Sequence, residues 1–226
     1  MEQLNINQLL NRNQNEEDLI HFLNHFEENK HNLLIKRGVY VYGDPGSGKT
    51  YFVEKILKQL NYDTIKYDAG DIRNKSVIDT ITKKSMNEQT IISMFKKQKK
   101  KLAIIMDEID GMNSGDKGGI NSLIKLIRPK KTKKQKLENI TMVPIICISN
   151  YHQDKKIKEM MKMCTKIELK IPTKEQIKNI SSLLMPDLND NIINNIISVI
   201  NGDLRKLKTS YEIYQNQSTI LKNKII

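Results

Sequence analysis

Eight consecutive residues, Gly43-Asp44-Pro45-Gly46-Ser47-Gly48-Lys49-Thr50, have the types and spacing to bind a nucleotide phosphate. Glycines at these positions let backbone N–H groups turn inward around an anion with no Cβ in the way. The lysine supplies a point charge for the β- and γ-phosphates, and the threonine supplies a hydroxyl for Mg2+. Every fixed position of the phosphate-loop pattern is filled. A buried-strand run, Gly38 to Tyr42, precedes the loop, and a helical run, Tyr51 to Leu60, follows it. That helix offers its positive N-terminal end to the phosphates.

Three further groups fit the same chemistry. Asp107-Glu108 directly follows the apolar run Leu102 to Met106. An acidic pair at the C-terminal edge of a parallel strand lies beside a phosphate loop. Asp107 is expected to join Thr50 in holding Mg2+, through water, and Glu108 to polarise the attacking water as general base. Ser149-Asn150 ends the run Val143 to Ile148, where the Asn150 amide either orients that water or reads the γ-phosphate. Gly202-Asp203-Leu204-Arg205 opens the last helical run, from which Arg205 can fold back onto the γ-phosphate. Lys49, Glu108, Asn150 and Arg205 form the expected catalytic set, with ATP and Mg2+ as cofactors. A nucleotide kinase has no place for an amide and a lid arginine of this kind.

These groups require a scaffold. The runs at 38–42, 64–67, 102–106, 143–148 and 166–171 read as strands, and helical patterns lie between them. The leading helix covers 16–29, with Leu19, Ile20, Leu23 and Phe26 at helical spacing. Alternation of this kind implies a parallel sheet flanked by helices, an α/β fold. After Pro172 the pattern becomes three helices, 175–184, 191–200 and 204–214, with no strand between them. The predicted domains are therefore 1–172 and an all-α lid over 173–226. The lysine runs 96–101 and 130–136 read as solvated loops or helix ends. Cys147 and Cys164 fit no zinc spacing and read as small buried side chains. No apolar run approaches the length that spans a bilayer, and no signal-peptide stretch begins the chain, so a reducing intracellular compartment is expected. A net charge of +12 favours a polyanionic partner, although a bias toward Lys, Asn and Ile is a competing source of that charge.

In this order and spacing the four motifs resemble the AAA+ ATPases, and finer detail resembles the large subunit of replication factor C, the clamp loader. Asp107-Glu108-Ile109-Asp110-Gly111-Met112, Gly118-Gly119-Ile120, Pro144 to Asn150 and Gly202 to Lys206 carry that resemblance. Asp68-Ala69-Gly70-Asp71-Ile72-Arg73 matches a further box, with Gly70 in place of the usual serine. The resemblance covers roughly residues 5–215. It implies a P-loop AAA+ sheet with a helical lid, and ATP-driven loading of a sliding clamp onto primed double-stranded DNA in a hetero-oligomer with other clamp-loader subunits. It also implies action in the nucleus or wherever DNA is replicated, without a membrane. Lys162-Met163-Cys164 stands where small subunits carry an arginine finger, and the large subunit likewise lacks that arginine. The family continues into a helical collar that this chain does not reach. A helicase loader or an ATP-binding regulatory subunit is the alternative.

The resemblance adds two expectations about contacts. DNA phosphates are expected at the helix start Gly118-Gly119, from the positive net charge and the free N–H groups there, and at Arg73 from its place in the family box, although Arg73 could instead pair with Asp68 or Asp71. Clamp contact is expected at Gln89, Ile92 and Phe95, a box whose second aromatic is replaced by Lys96. Ile92 and Phe95 could instead pack that helix onto the sheet.

Overall fold

In a computed structural model the structure describes residues 6–68, 100–114, 117–151 and 155–223. The described residues contain one five-stranded sheet built from β1 (Gly38–Tyr42), β2 (Tyr62–Tyr67), β3 (Lys101–Met106), β4 (Ile145–Ser149) and β5 (Thr165–Glu168). The strand order is β2-β3-β4-β1-β5, and every pairing is parallel. This is the expected α/β sheet. The central strands explain their own composition. β3, β4 and β1 are covered on both faces, so each reads as an unbroken apolar run instead of an alternating one.

The chain forms two compact units. One contains 15–42 and 49–168, and so the whole sheet. Its helices are α2 (Asn13–Asn29), α3 (Lys49–Gln59), α4 (Lys117–Ile127), α5 (Lys133–Lys136) and α6 (Lys155–Met163). Ile104, Met106, Ile145 and Cys147 from the sheet pack with Leu123, Ile127 and Met160 from the helices in one core. The other unit contains 1–14, 43–48 and 169–226. It holds α1 (Ile6–Leu9), α7 (Lys174–Leu184), α8 (Asp190–Ile200) and α9 (Leu204–Asn223). Its core joins Ile6 and Leu10 to Ile177, Ile180, Ile193, Ile197, Ile200 and Leu207. Thr173 starts α7 with a reciprocal cap to Gln176, and Asn189 caps α8.

Three details differ from the sequence reading. α6 was not anticipated; its lysines alternate with Ile157, Met160, Met161 and Met163, of which Ile157 and Met160 are buried. β5 stops at Glu168, short of the expected Ile171. Lys130 is fully buried, not solvated. Its ammonium donates to Glu138 at 2.9 Å and to the Lys125 carbonyl. Arg128 reaches the same carboxylate, Nε to Oε2 at 3.2 Å. A carboxylate eight residues away turns one member of a charge run into an interior ion pair, which a run of like charges does not announce. Both cysteines are buried and reduced, as expected.

Candidate functional site

The parallel sheet brings the motif residues to one edge. Tyr42 pairs with Ser149, and Met106 with Cys147, so the chain leaves β1, β3 and β4 from the same end. Lys49 and Thr50 open α3, Asp107 and Glu108 follow β3, and Asn150 follows β4.

Within the sheet-bearing unit these side chains are joined by hydrogen bonds. The Lys49 ammonium is buried and donates to Asn150 Oδ1 at 3.0 Å. The Thr50 hydroxyl donates to Asp107 Oδ2 at 2.9 Å. Lys66, from β2, reaches the same Asp107 oxygen at 3.1 Å and Glu54 at 3.6 Å. Partial burial lowers the Lys66 pKa, but the hydrogen bond and charge of Asp107, with the charges of Glu54 and Asp68, together outweigh it and hold the pKa above the usual lysine value. Lys66 was not anticipated, because a lysine on a strand carries no motif. Asp107 and Thr50 are hard oxygen donors. Such a pair fits Mg2+, which takes few protein ligands and completes its shell with water and phosphate oxygens. No cluster of three or more His, Cys, Asp or Glu occurs among the described residues.

Glu108 stands in the left-handed region, φ 51°, although it is not glycine. That conformation costs a non-glycine residue about 1–2 kcal/mol. It turns the chain from β3 into a 3-10 turn over Ile109–Ser114, closed by the Gly111 N–H on the Glu108 carbonyl at 2.9 Å. The Glu108 side chain is exposed while Ile109 is fully buried. Strain of this kind is kept where a side chain must be aimed.

The other unit holds the phosphate loop itself. Gly46 has φ +77°, and a Cβ there would lie 2.3 Å from the Asp203 carboxyl carbon. Glycine is therefore required both by backbone conformation and by space. The Gly46 carbonyl accepts the Leu204 N–H at 2.9 Å. Arg12 donates through Nη2 to the Ser47 carbonyl at 2.8 Å and to the Lys170 carbonyl at 3.0 Å. It is 5% exposed, and burial pulls its pKa down from 12.5 to about 10. Sequence reading missed Arg12, since nothing near it in the chain marks an arginine that works on residues 35 positions away.

Arg205 was expected at the γ-phosphate. Its guanidinium here is paired with Asp203, Nε to Oδ1 at 3.1 Å and Nη2 to Oδ2 at 3.0 Å. The Arg205 bond pulls the Asp203 carboxyl below its usual value. Asp203 also accepts the Arg205 N–H at 2.8 Å, as the N-cap of α9. The capping pattern in Gly202-Asp203-Leu204-Arg205 was the available signal for Asp203.

The remaining predicted residues fall elsewhere. Gly118 and Gly119 lie in the first turn of α4, with Gly119 buried. Met163 ends α6 and packs, partly buried, against the sheet core. Arg73, Gln89, Ile92 and Phe95 lie outside the described residues. Among the described residues no helix is long and apolar enough to cross a membrane.

Comparison with known proteins agrees with this arrangement. Replication factor C subunit 1 of Saccharomyces cerevisiae is 28% identical over 184 residues, 76% of this chain and 20% of that protein. Replication factor C subunit 1 of Homo sapiens is 34% identical over 142 residues, 60% of this chain and 11% of that protein. The replication factor C large subunit of Sulfurisphaera tokodaii is 30% identical over 205 residues, covering 87% of this chain and 42% of that protein. The chain spans about a fifth or less of the eukaryotic relatives it matches and under half of the archaeal one. The model of the ATPase family associated with various cellular activities matches residues 39–173, which include the phosphate loop, the acidic pair and Asn150. A chain with that match, and with those groups gathered at the ends of parallel strands, belongs to the AAA family of ATPases.

Proposed function

We propose that this protein binds Mg2+-ATP and hydrolyses it as the ATPase core of a large clamp-loader subunit. The observation that carries the reading is the pair of bonds Lys49–Asn150 and Thr50–Asp107. They hold a cation for the phosphates and hard oxygen ligands for Mg2+ at one sheet edge.

In this reading residues 43–48 cradle the phosphates with backbone N–H groups, and Lys49 balances the β- and γ-phosphate charge. Thr50 and Asp107 hold Mg2+, which when bound neutralises charge on the phosphate oxygens. Glu108 accepts a proton from water as the water oxygen bonds to the γ-phosphorus. The bond to the ADP oxygen breaks, leaving ADP and phosphate. Asn150 lies beside Lys49, and Arg205 opens the lid helix through its tie to Asp203. We place the ATPase domain at 1–172 and the lid at 173–226.

The relatives' names support a role in clamp loading during DNA replication. The partners would be a sliding clamp, smaller subunits and the phosphate backbone of primed DNA, approached by residues such as Arg73 and the α4 start at Gly118-Gly119. Gln89, Ile92 and Phe95 remain the candidate clamp anchor. Met163 supplies no arginine to a neighbour, so the isolated protein should turn over slowly. ATP binding would bias the assembly toward a clamp-opening state, and hydrolysis would release it.

Two measurements test this reading. Lys49→Ala should abolish ATP binding, whereas Glu108→Gln should bind ATP and hydrolyse it roughly 10²-fold more slowly. A pull-down from native extract should recover a sliding clamp and finger-bearing small subunits. Wild-type hydrolysis by Glu108→Gln would remove the catalytic assignment. Recovery of the protein as a homo-oligomer without a clamp would point to another AAA ATPase, such as a helicase loader.

A further inference from the structure

We infer that Asp110 is a positioning residue that fixes the Asn150 amide with its carbonyl oxygen facing the phosphate side. Asn150 then acts as an acceptor for the attacking water, not as a donor to the γ-phosphate. The inference rests on the hydrolytic reading above and narrows it.

Four consecutive residues after β3 have separate tasks. Asp107 bonds Thr50, Glu108 is exposed, Ile109 is buried in the core, and Asp110 meets the tip of β4. The 3-10 turn that begins after the left-handed Glu108 carries Asp110 there. Asn150 Nδ2 donates to Asp110 Oδ2 at 3.4 Å, while Asn150 Oδ1 accepts from the Lys49 ammonium at 3.0 Å.

An amide has one accepting end and one donating end, so these two contacts specify one orientation. Turning the amide over would set its NH2 against an ammonium and its carbonyl against a carboxylate. Both ends oppose the flip. The other Asp110 oxygen, Oδ1, is buried and has no hydrogen-bond partner among the described residues. Asp110 has no place in the catalytic set read from the sequence, and the Asn150 contact supplies a reason for an acid at that position.

The orientation has a chemical consequence. The Asn150 group on the Lys49 side is an oxygen. It attracts an ammonium or the hydrogen of a water, and it repels a phosphate oxygen. With Glu108 accepting one hydrogen of the attacking water and Asn150 Oδ1 accepting the other, the water lone pair is left to face phosphorus. The amide of Asn150 had two open roles, and the Asp110 contact selects between them.

The test compares Asp110→Ala with Asp110→Asn in the full chain. ATP affinity is measured by equilibrium titration, hydrolysis by single-turnover assay, and the Asn150 side-chain amide by NMR. Asp110→Ala should hold ATP within about twofold of wild type yet hydrolyse it about tenfold more slowly, the scale of one hydrogen bond that positions a reactant. Asp110→Asn can still accept from Asn150 Nδ2 and should recover to within about threefold. The Asn150 amide protons should shift in Asp110→Ala and stay near their wild-type positions in Asp110→Asn, a readout that does not depend on activity.

Wild-type hydrolysis by Asp110→Ala, or an Asn150 amide signal unmoved by it, would overturn the inference. Equal damage in both variants, accompanied by a lower melting temperature, would assign Asp110 to the fold alone and overturn it too. If wild type shows no hydrolysis, the ATPase reading fails, and the NMR arm still decides whether Asp110 holds the amide.

Discussion

Replacing Arg12 with alanine sets two large terms against each other. The guanidinium makes two hydrogen bonds to backbone carbonyls, 2.8 Å to Ser47 and 3.0 Å to Lys170. Bonds from a charged donor contribute about 1.5–3 kcal/mol each, or about 3–6 kcal/mol for the pair. Burial opposes them. The pKa falls from 12.5 to about 10, which at about 1.4 kcal/mol per pH unit is about 3.5 kcal/mol against the buried cation. Against the middle of the hydrogen-bond range, about 4.5 kcal/mol, this leaves Arg12 stabilising by about 1 kcal/mol. For a chain of this size the alanine variant should melt about 2–4 °C lower. The larger effect is expected on ATP, because Ser47 is a phosphate-loop residue and its carbonyl loses its anchor. Equilibrium titration should show roughly tenfold weaker ATP binding, since about 1.4 kcal/mol of loop order is then supplied by the ligand. Arg12→Lys should fall between wild type and alanine, as a single ammonium cannot span both carbonyls with the fixed fork of a guanidinium. An alanine variant that melts at or above the wild-type temperature would mean that desolvation outweighs the bonds. Unchanged ATP affinity would refute the link between Arg12 and the loop.

Two further outcomes follow from the geometry. Glu108→Gly relieves a left-handed strain of about 1–2 kcal/mol but adds about 0.5–1 kcal/mol of unfolded-chain entropy. Its stability to urea should thus stay level or rise by up to about 1.5 kcal/mol while hydrolysis falls by roughly 10²-fold; a clear loss of stability would show that the φ value is not strained. The second outcome concerns acid. The Arg205 hydrogen bond holds the Asp203 carboxyl below its usual 3.8, and the Arg128 hydrogen bond holds Glu138 below 4.5. A depressed folded pKa gives stability that is complete above the ordinary value and is lost as pH falls through the folded one. Melting temperatures should drop below about pH 4. Glu138→Gln should melt lower at pH 7 and lose less on acidification, and an unchanged acid limb would count against the pair.

Much of the architecture was legible because buried parallel strands need unbroken apolar runs. Leu102 to Met106 and Val143 to Ile148 announce themselves, and their observed spans, Lys101–Met106 and Ile145–Ser149, differ by a residue or two at the ends. End residues are decided by which backbone groups find a partner strand, information that is not local. The phosphate loop was legible for a different reason. Its chemistry needs contiguous residues of fixed type, so Gly43 to Thr50 carry the whole signal within eight positions.

What stayed hidden depends on partners far apart in the chain. Arg12 works on Ser47 and Lys170, Lys66 on Asp107, Lys130 on Glu138, and Asp110 on Asn150. No local pattern distinguishes a buried lysine from a solvated one within a run of lysines. The side chain is the same, and its burial is set by whether the fold delivers a carboxylate to it. The left-handed turn at Glu108 is equally invisible, since glutamate has no preference for it and the surrounding packing imposes it. Residue types and their spacing along the chain are enough to say which residues could hold a phosphate, a metal and a proton. Tertiary structure decided which way those residues face, because hydrogen bonds between strand ends depend on register and on turns, not on residue type.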